Sequence, residues 1–338
     1  MKLAVLGLGF MGSTHLKALR GVASAELSAV FDQDEKRLSG DLTSVQGNLG
    51  GPGERIDFSG VRKYRELEPL LADPEIAAVD ICLPTHLHEV AAIEALRAGK
   101  HVLVEKPMAL DAFAADRMVS QAARHKRILM TAHVLRFFPA YVALREAIRD
   151  GQLGLVRFAI FRRRCAAPGW AEWMKDPAQS GGGVFDLLIH DADMCVHLFG
   201  MPEAVSAAGY ADAAAGIDGI DAQLFYPHGG VVLITGGWHH PGAYPFSMEY
   251  TVTLDDGTVD YSSAGRAPAL YGANQPGRVL DLKDRDPYAA EIEYFVECCG
   301  AGRTPELCPP RESANAVKLM LLMLESRNRN GAKLRCNI

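Results

Sequence analysis

Lys2-Leu3-Ala4-Val5-Leu6-Gly7-Leu8-Gly9-Phe10-Met11-Gly12 runs from an aliphatic segment straight into G-x-G-x-x-G, and a helical pattern follows through Leu16, Leu19 and Arg20. Strand, glycine turn and helix in that order give each glycine a mechanical role. Gly7 permits the tight turn, Gly9 lets the backbone approach a pyrophosphate, and Gly12 lets the helix pack on the strand. A second strand-like run, Leu27 to Phe31, ends on Asp32, 20 residues after Gly12, where a carboxylate accepts hydrogen bonds from the adenosine ribose hydroxyls. Together the two signals predict an α/β dinucleotide-binding domain with a doubly wound parallel sheet. Asp32 repels a 2′-phosphate, and Gln33-Asp34-Glu35 add negative charge before Lys36 and Arg37, so NAD is favoured over NADP.

Strand-helix alternation continues downstream. Val79-Asp80-Ile81-Cys82-Leu83 reads as a buried strand ended by Pro84, with Thr85 as the N-cap of a helix from His86 to Ala98, closed by Gly99. His86 and His88 are read as cap or cofactor-contact residues. The next run, His101-Val102-Leu103-Val104-Glu105-Lys106-Pro107, delivers Glu105 and Lys106 to the carboxyl end of a strand, the edge of an open α/β sheet where ligands bind. Lys106 reads either as a surface lysine or, from that position, as a proton-transfer candidate.

Between Gly181-Gly182-Gly183 and Gly200 lies Val184-Phe185-Asp186-Leu187-Leu188-Ile189-His190-Asp191-Ala192-Asp193-Met194-Cys195-Val196-His197-Leu198-Phe199, read as one buried helix. At about 100° per residue, Asp186, His190, Asp193 and His197 share a narrow stripe. Ionisable groups on a buried helix must be paired, bind a metal or line a cavity. Three readings are open on the helix alone: a structural Asp-His pair, a metal site, and acid-base catalysis with Asp186 orienting His190.

A chain of 338 residues suggests two domains. With 49% hydrophobic and 22% charged residues and a mean hydropathy of +0.01, it reads as soluble and globular, without a membrane span. The N-terminus lacks the apolar core and cleavage site of a signal peptide, so a cytoplasmic location is expected. Seven cysteines without a C-x-x-C pair are read as free thiols. A net charge of -6 and a pI near 6.0 argue against a nucleic-acid partner, and Arg162-Arg163-Arg164 is read as a solvated strand end or an interface.

From Val156 onward, strand-like runs follow one another without long helices between them: Val156 to Phe161, Gln223 to Tyr226, Val231 to Thr235, Met248 to Leu254 and Thr258 to Tyr261. They predict a large, mostly antiparallel open sheet in an α+β domain, with one broad face covered by a second copy in a homodimer or homotetramer. Trp170 and Trp173 before the triple glycine, and His240 with Tyr244 after a strand, are candidate substrate contacts for the faces and hydroxyls of a ring-shaped molecule. Tyr288, near the start of a helix from Pro287 to Cys299, is a further candidate. The expected domains are 1–125, 126–320 and a C-terminal helix and tail at 321–338.

Gly7-x-Gly9-x-x-Gly12, Val102-Leu103-Val104-Glu105-Lys106-Pro107, His133-Val134-Leu135-Arg136-Phe137, Gly181-Gly182-Gly183 leading to Asp186-x-x-x-His190, and the helix around Glu325-Ser326 together resemble the glucose-fructose oxidoreductase and inositol dehydrogenase family, Gfo/Idh/MocA. The resemblance covers most of the chain. It implies a Rossmann domain followed by an open-sheet domain, and a catalytic set that maps onto Lys106, Asp186 and His190. It also implies cofactor contacts from Gly7, Gly9, Phe10, Met11, Gly12, Asp32, Pro84, His88, Glu105 and Lys106, a substrate contact from Arg136, and no metal. Leu187-Leu188-Ile189 depart from the small residue that many sugar-active members carry between the aspartate and the histidine. Asp193 is expected to support the site and His197 to be structural. The expected activity is hydride transfer between a nicotinamide and a secondary alcohol of a sugar or cyclic polyol. The alternatives are a non-sugar reductase, a retained-NAD glycoside-cleaving enzyme and an inactive NAD(P)-binding regulator.

Overall fold

The computed structural model describes residues 1–47, 53–169, 171–212, 217–227, 229–274 and 276–337, and its chain divides into two compact units. The first comprises residues 1–134 and 285–314, the second 135–284 and 315–338.

The first unit alternates strand and helix: β1 (Lys2–Leu6), α1 (Phe10–Leu19), β2 (Glu26–Phe31), α2 (Glu35–Leu38), β3 (Arg62–Tyr64), α3 (Leu67–Ala72), β4 (Ala78–Ile81), α4 (His88–Arg97), β5 (His101–Glu105), α5 (Ala112–His125) and β6 (Leu129–Ala132). All strand pairs are parallel, in the order β3-β2-β1-β4-β5-β6. The order reverses between β1 and β4, which makes the carboxyl edge there the binding crevice of a doubly wound sheet. Strands in such a sheet are covered on both faces, and β1, β4 and β5 are accordingly near-continuous apolar runs. Asp80, fully buried within β4, is the exception. Val5, Leu8, Leu16, Val30, Leu38, Leu42, Ile56 and Phe58 form a core cluster on the α1 side of β1 and β2.

The second unit begins with α6 (Pro139–Arg149) and β7 (Val156–Ala166), then α7 (Glu172–Lys175), α8 (Pro177–Ser180) and α9 (Gly183–Phe199). Six strands follow: β8 (Ala204–Asp212), β9 (Ile217–Phe225), β10 (Val231–His240), β11 (Ser247–Leu254), β12 (Gly257–Ser262) and β13 (Arg266–Gly272). After β14 (Arg278–Val279), α10 (Pro287–Ala301) belongs to the first unit, and α11 (Pro310–Asn328) and β15 (Leu334–Arg335) complete the chain. The nine-stranded sheet runs β14-β13-β12-β11-β7-β10-β9-β8-β15. Its pairs are antiparallel except β7 with β10. Helix α9 packs on β7, β9 and β10.

Three local readings differ from the sequence expectation. The helix expected from His86 starts at His88, because Thr85–Leu87 form a 3-10 turn and Thr85 makes no side-chain cap there. The division into units differs from 1–125, 126–320 and 321–338: α10 packs on α1 and β5, so residues 285–314 join the first unit, and α11 already starts at Pro310. Arg163 is not solvated. Alternation along β7 turns it toward α9, where it is 2% exposed and binds Asp191 through hydrogen bonds of 2.8 and 3.0 Å. Arg162 and Arg164 point the other way, and both reach Glu249 of β11. Among the described residues no helix is long and apolar enough to cross a membrane.

Candidate active site

The glycine loop is shaped by steric necessity. At Gly7 (φ +91°) a Cβ would lie 2.7 Å from the Cys82 carbonyl oxygen, and at Gly12 it would lie 1.8 Å from the Gly7 carbonyl oxygen. At Gly9 it would meet nothing within 4 Å. The loop is thus packed against β4 on one side and open on the other, as a pyrophosphate cradle requires. Gly9 is the N-cap of α1, whose first turn, with Phe10 and Met11, carries neither a side-chain cap nor an acidic residue. First-turn amides have no intrahelical partner, and the helix dipole there favours an anion. Asp32, 8% exposed, accepts hydrogen bonds from the Leu8 N–H at 2.7 Å and the Asp34 N–H at 2.8 Å. The loop and Asp32 are therefore brought together. Arg37 lies 3.7 Å from the same carboxylate. The residues present fit a dinucleotide: an open glycine cradle, an uncapped helix start and a carboxylate at the end of β2.

Glu105 and Lys106 close β5 at the same sheet edge. Glu105 is buried; one oxygen lies 3.0 Å from His15 Nε2 and the other accepts the Lys106 backbone N–H at 3.0 Å. His15 Nδ1 lies 2.8 Å from Asp80 Oδ2. Burial alone would lower the His15 pKa, but the Asp80 carboxylate overrides it and holds the imidazole well above its usual value. Burial would raise Glu105, yet the bond and charge of His15 hold it below the usual carboxylate range. Tyr288, at the start of α10, lies with its ring 6.1 Å from that of His15, and burial followed by the Glu105 charge pushes its hydroxyl up to about 12. His88 is 1% exposed, with its ring nitrogens 2.9 Å from the Pro107 carbonyl and 2.8 Å from the Leu83 carbonyl, and burial lowers its pKa. Pro84, half-buried, follows Leu83 into the turn before α4.

His15, Asp80 and Cys82 are the one group among the described residues with metal-like spacing, their ligand atoms lying within 4.8 Å of one another. Each already bonds another member, and burial keeps the Cys82 thiol far above its usual pKa, hence protonated. Their chemistry is that of a hydrogen-bonded ion pair rather than a set of open ligands.

In the second unit, α9 starts where Gly183 allows β10 to come close: a Cβ there would lie 2.7 Å from the Trp238 ring. Asp218 of β9 accepts the Val184 N–H at 3.0 Å and also binds Arg327 of α11. Asp186 follows in the first turn, 8% exposed, and His190, half-buried, stands one turn later. Further along the stripe, Asp193 takes two hydrogen bonds from Arg136, at 2.8 and 2.6 Å, and His197 Nδ1 lies 3.0 Å from the same guanidinium. Arg136 is 1% exposed. The structure thus places the expected substrate residue Arg136 in a buried cluster with Asp193 and His197.

Trp170 lies outside the described residues. Trp173 is half-buried in α7, just before α8 and α9. His240 stacks on Tyr244, with ring centroids 3.8 Å apart, and its Nε2 lies 3.0 Å from that of His239. Sequence reading missed His15, Arg163 and Asp218. A signal for the first existed: Asp80 is a charge inside an otherwise apolar parallel strand and needs a buried partner.

Residues 1–133 match the family model described as "Oxidoreductase family, NAD-binding Rossmann fold", and residues 141–260 match the "GFO/IDH/MocA C-terminal domain". The chain belongs to the Gfo/Idh/MocA oxidoreductase family. Among characterised members it is similar to a myo-inositol 2-dehydrogenase of Thermotoga maritima, 31% identical across 96% of this chain and 94% of that protein. It is also similar to a scyllo-inositol 2-dehydrogenase (NADP(+)) of Bacillus subtilis, 27% identical across 96% and 93%. A levoglucosan dehydrogenase solved with NADH and levoglucosan shares the fold, with a TM-score of 0.86, 16% identity and full coverage of both chains. An aldose-aldose oxidoreductase of Caulobacter crescentus does so with a TM-score of 0.84, 21% identity and coverage of 99% and 98%. Membership of Gfo/Idh/MocA makes the first unit an NAD(P)-binding Rossmann domain of an oxidoreductase.

Proposed function

We propose that this protein is an NAD-preferring dehydrogenase that oxidises a secondary alcohol of a cyclic polyol or sugar, with inositols the first candidates. The observation that carries the reading is the placement of Asp186 and His190 one turn apart on α9, a helix that is otherwise almost wholly buried. The Lys106 strand end and the dinucleotide loop of the first unit supply the other parts. Similarity to two inositol dehydrogenases supports the substrate class.

NAD(P), when bound, supplies the hydride acceptor. His190 removes the hydroxyl proton of the alcohol at a ring nitrogen. Asp186 orients that imidazole and stabilises its charged form. Lys106 Nζ donates a hydrogen bond to the same oxygen and stabilises the charge that develops as the proton leaves. Gly9 and the first turn of α1 receive the pyrophosphate, and Asp32 accepts from the ribose hydroxyls. Asp32 stands against a 2′-phosphate while Arg37, 3.7 Å away, favours one, which supports a preference for NAD rather than exclusive use. Assembly as a homodimer or homotetramer uses the sheet face turned away from α9, where Phe158, Ile160 and Leu233 are only half-buried.

The test is absorbance at 340 nm with NAD or NADP against a panel of inositols, hexoses and sugar acids, beside Lys106→Ala and His190→Ala. Substrate-dependent NADH formation that is lost in both variants supports the reading. NADH binding without turnover on any panel member overturns the sugar and polyol assignment.

A further inference from the structure

Lys106 is flanked by two residues that are each fixed by a different buried histidine. On one side, Glu105 joins His15 at 3.0 Å and takes the Lys106 backbone N–H at 3.0 Å. On the other, the Pro107 carbonyl lies 2.9 Å from His88 Nδ1. His15 and His88 are 0% and 1% exposed, so neither is placed to touch a ligand directly. His15 belongs to α1, the helix that opens on the glycine loop, and His88 opens α4. The turn that presents Lys106 is thereby tied to both helices.

We propose that His15 and His88 are positioning residues for Lys106, which fix the backbone on either side of it so that its amine meets the reacting oxygen in one orientation. The inference rests on the role given to Lys106 above. Facing His15 are Asp80 and Cys82 from β4 and the residue after it, Glu105 from β5 and Tyr288 from α10. Between two carboxylates the imidazole is an imidazolium that donates from Nδ1 to Asp80 and faces Glu105 with Nε2 at 3.0 Å as an ion pair. Glu105 then has one oxygen committed to His15 and the other to the Lys106 amide. His88 faces a carbonyl from each ring nitrogen, and the neutral imidazole that burial favours carries one N–H, so it holds Pro107 as the Nδ1–H tautomer, by direction and without a formal charge on the acceptor. A histidine that merely filled the core would leave Lys106 indifferent to its replacement by a side chain of similar size.

The test compares His15→Gln and His88→Gln with the unaltered protein in three measurements: hydrogen exchange of the peptide containing the Lys106 amide, NADH affinity by fluorescence, and kcat and KM for the alcohol. The expected result is faster exchange at Lys106 and a fall in kcat approaching 10²-fold, the order a misplacement of about 1 Å produces, with NADH affinity and KM changed less than about threefold. Unchanged exchange at Lys106, or a kcat loss matched by an equal loss of NADH affinity, overturns the proposal. If the unaltered protein turns over no alcohol, the function proposed above fails by itself, while the exchange and NADH measurements still decide this one. Should His15→Gln not fold, Asp80→Asn removes the charge opposite His15 Nδ1 from a fully buried position outside the cofactor contacts and is read in the same way.

Discussion

Arg136 grips Asp193 through two hydrogen bonds, at 2.8 and 2.6 Å, with both side chains all but inaccessible. A guanidinium and a carboxylate removed from water stabilise each other as a pair, and a single replacement takes its bidentate partner from the buried charge that survives. Arg136→Ala should therefore lower the unfolding free energy by about 3–5 kcal/mol, while Arg136→Leu combined with Asp193→Leu should recover much of that loss. Urea midpoints of the two variants decide it. A single variant as stable as the unaltered protein would mean that the pair is not buried in solution.

Asp218 does for α9 from a neighbouring strand what an N-cap residue usually does from within the chain. Its carboxylate accepts the Val184 N–H two residues before Asp186 and is itself bound by Arg327. Asp218→Ala removes this acceptor and leaves Arg327, near a tenth exposed, without that partner. The expected loss is about 2 kcal/mol, the upper range for a helix cap. Because Asp186 is in the same turn, kcat should fall more than KM rises. An effect on KM alone would show that the start of α9 does not need Asp218 to stay in register.

The cofactor preference turns on the balance between Asp32 and Arg37. Asp32→Ala removes the ribose acceptor and the repulsion of a 2′-phosphate, leaving Arg37 to attract it. NAD affinity should fall and NADP affinity should rise, each by roughly tenfold, or about 1.4 kcal/mol. Arg37→Ala should weaken NADP with little change to NAD. Fluorescence titrations with both reduced cofactors measure this, and a fall in affinity for both in Asp32→Ala would refute the selective role of the carboxylate.

What could be read from the chain was whatever is local. The glycines at 7, 9 and 12 and the carboxylate at 32 depend on spacings within one β-α-β stretch, and Asp186 with His190 depends on one helical turn. The second sheet was legible where β-branched and aromatic residues dominate, as in β7, β10 and β11. It was not legible in β8, whose Ala-Val-Ser-Ala-Ala-Gly-Tyr-Ala-Asp has low strand propensity and is a strand because β9 pairs with it along its length. The His15 cluster spans 65 residues from His15 to Asp80, and the Arg163–Asp191 pair spans 28, so both follow from which elements become neighbours. Alternation along β7 would have separated Arg163 from Arg162 and Arg164, had the strand been extended beyond Phe161.

His15 gives the fold a signature in pH. Its folded pKa is raised well above 6.5, so its contribution is complete below that unfolded value and is lost as pH rises toward the folded one. Glu105 acts in the opposite sense. Its folded pKa is below 4.5, so its contribution is present above that value and lost as pH falls through the folded one. Of these two groups only the histidine acts on the alkaline side: unfolding releases the proton that Asp80 holds on the ring, and comparison with His15→Gln removes the part due to other groups such as the Cys82 thiol. Across about pH 7.5 to 9 the unaltered protein should lose stability more steeply than His15→Gln, by at most about 1.4 kcal/mol per pH unit and only below the folded pKa of the ring. Urea unfolding of both proteins at the two ends of that range measures the slopes. Parallel slopes would mean that the imidazole is neutral in the folded protein and that Glu105 is fixed by a neutral hydrogen bond instead of by a charge.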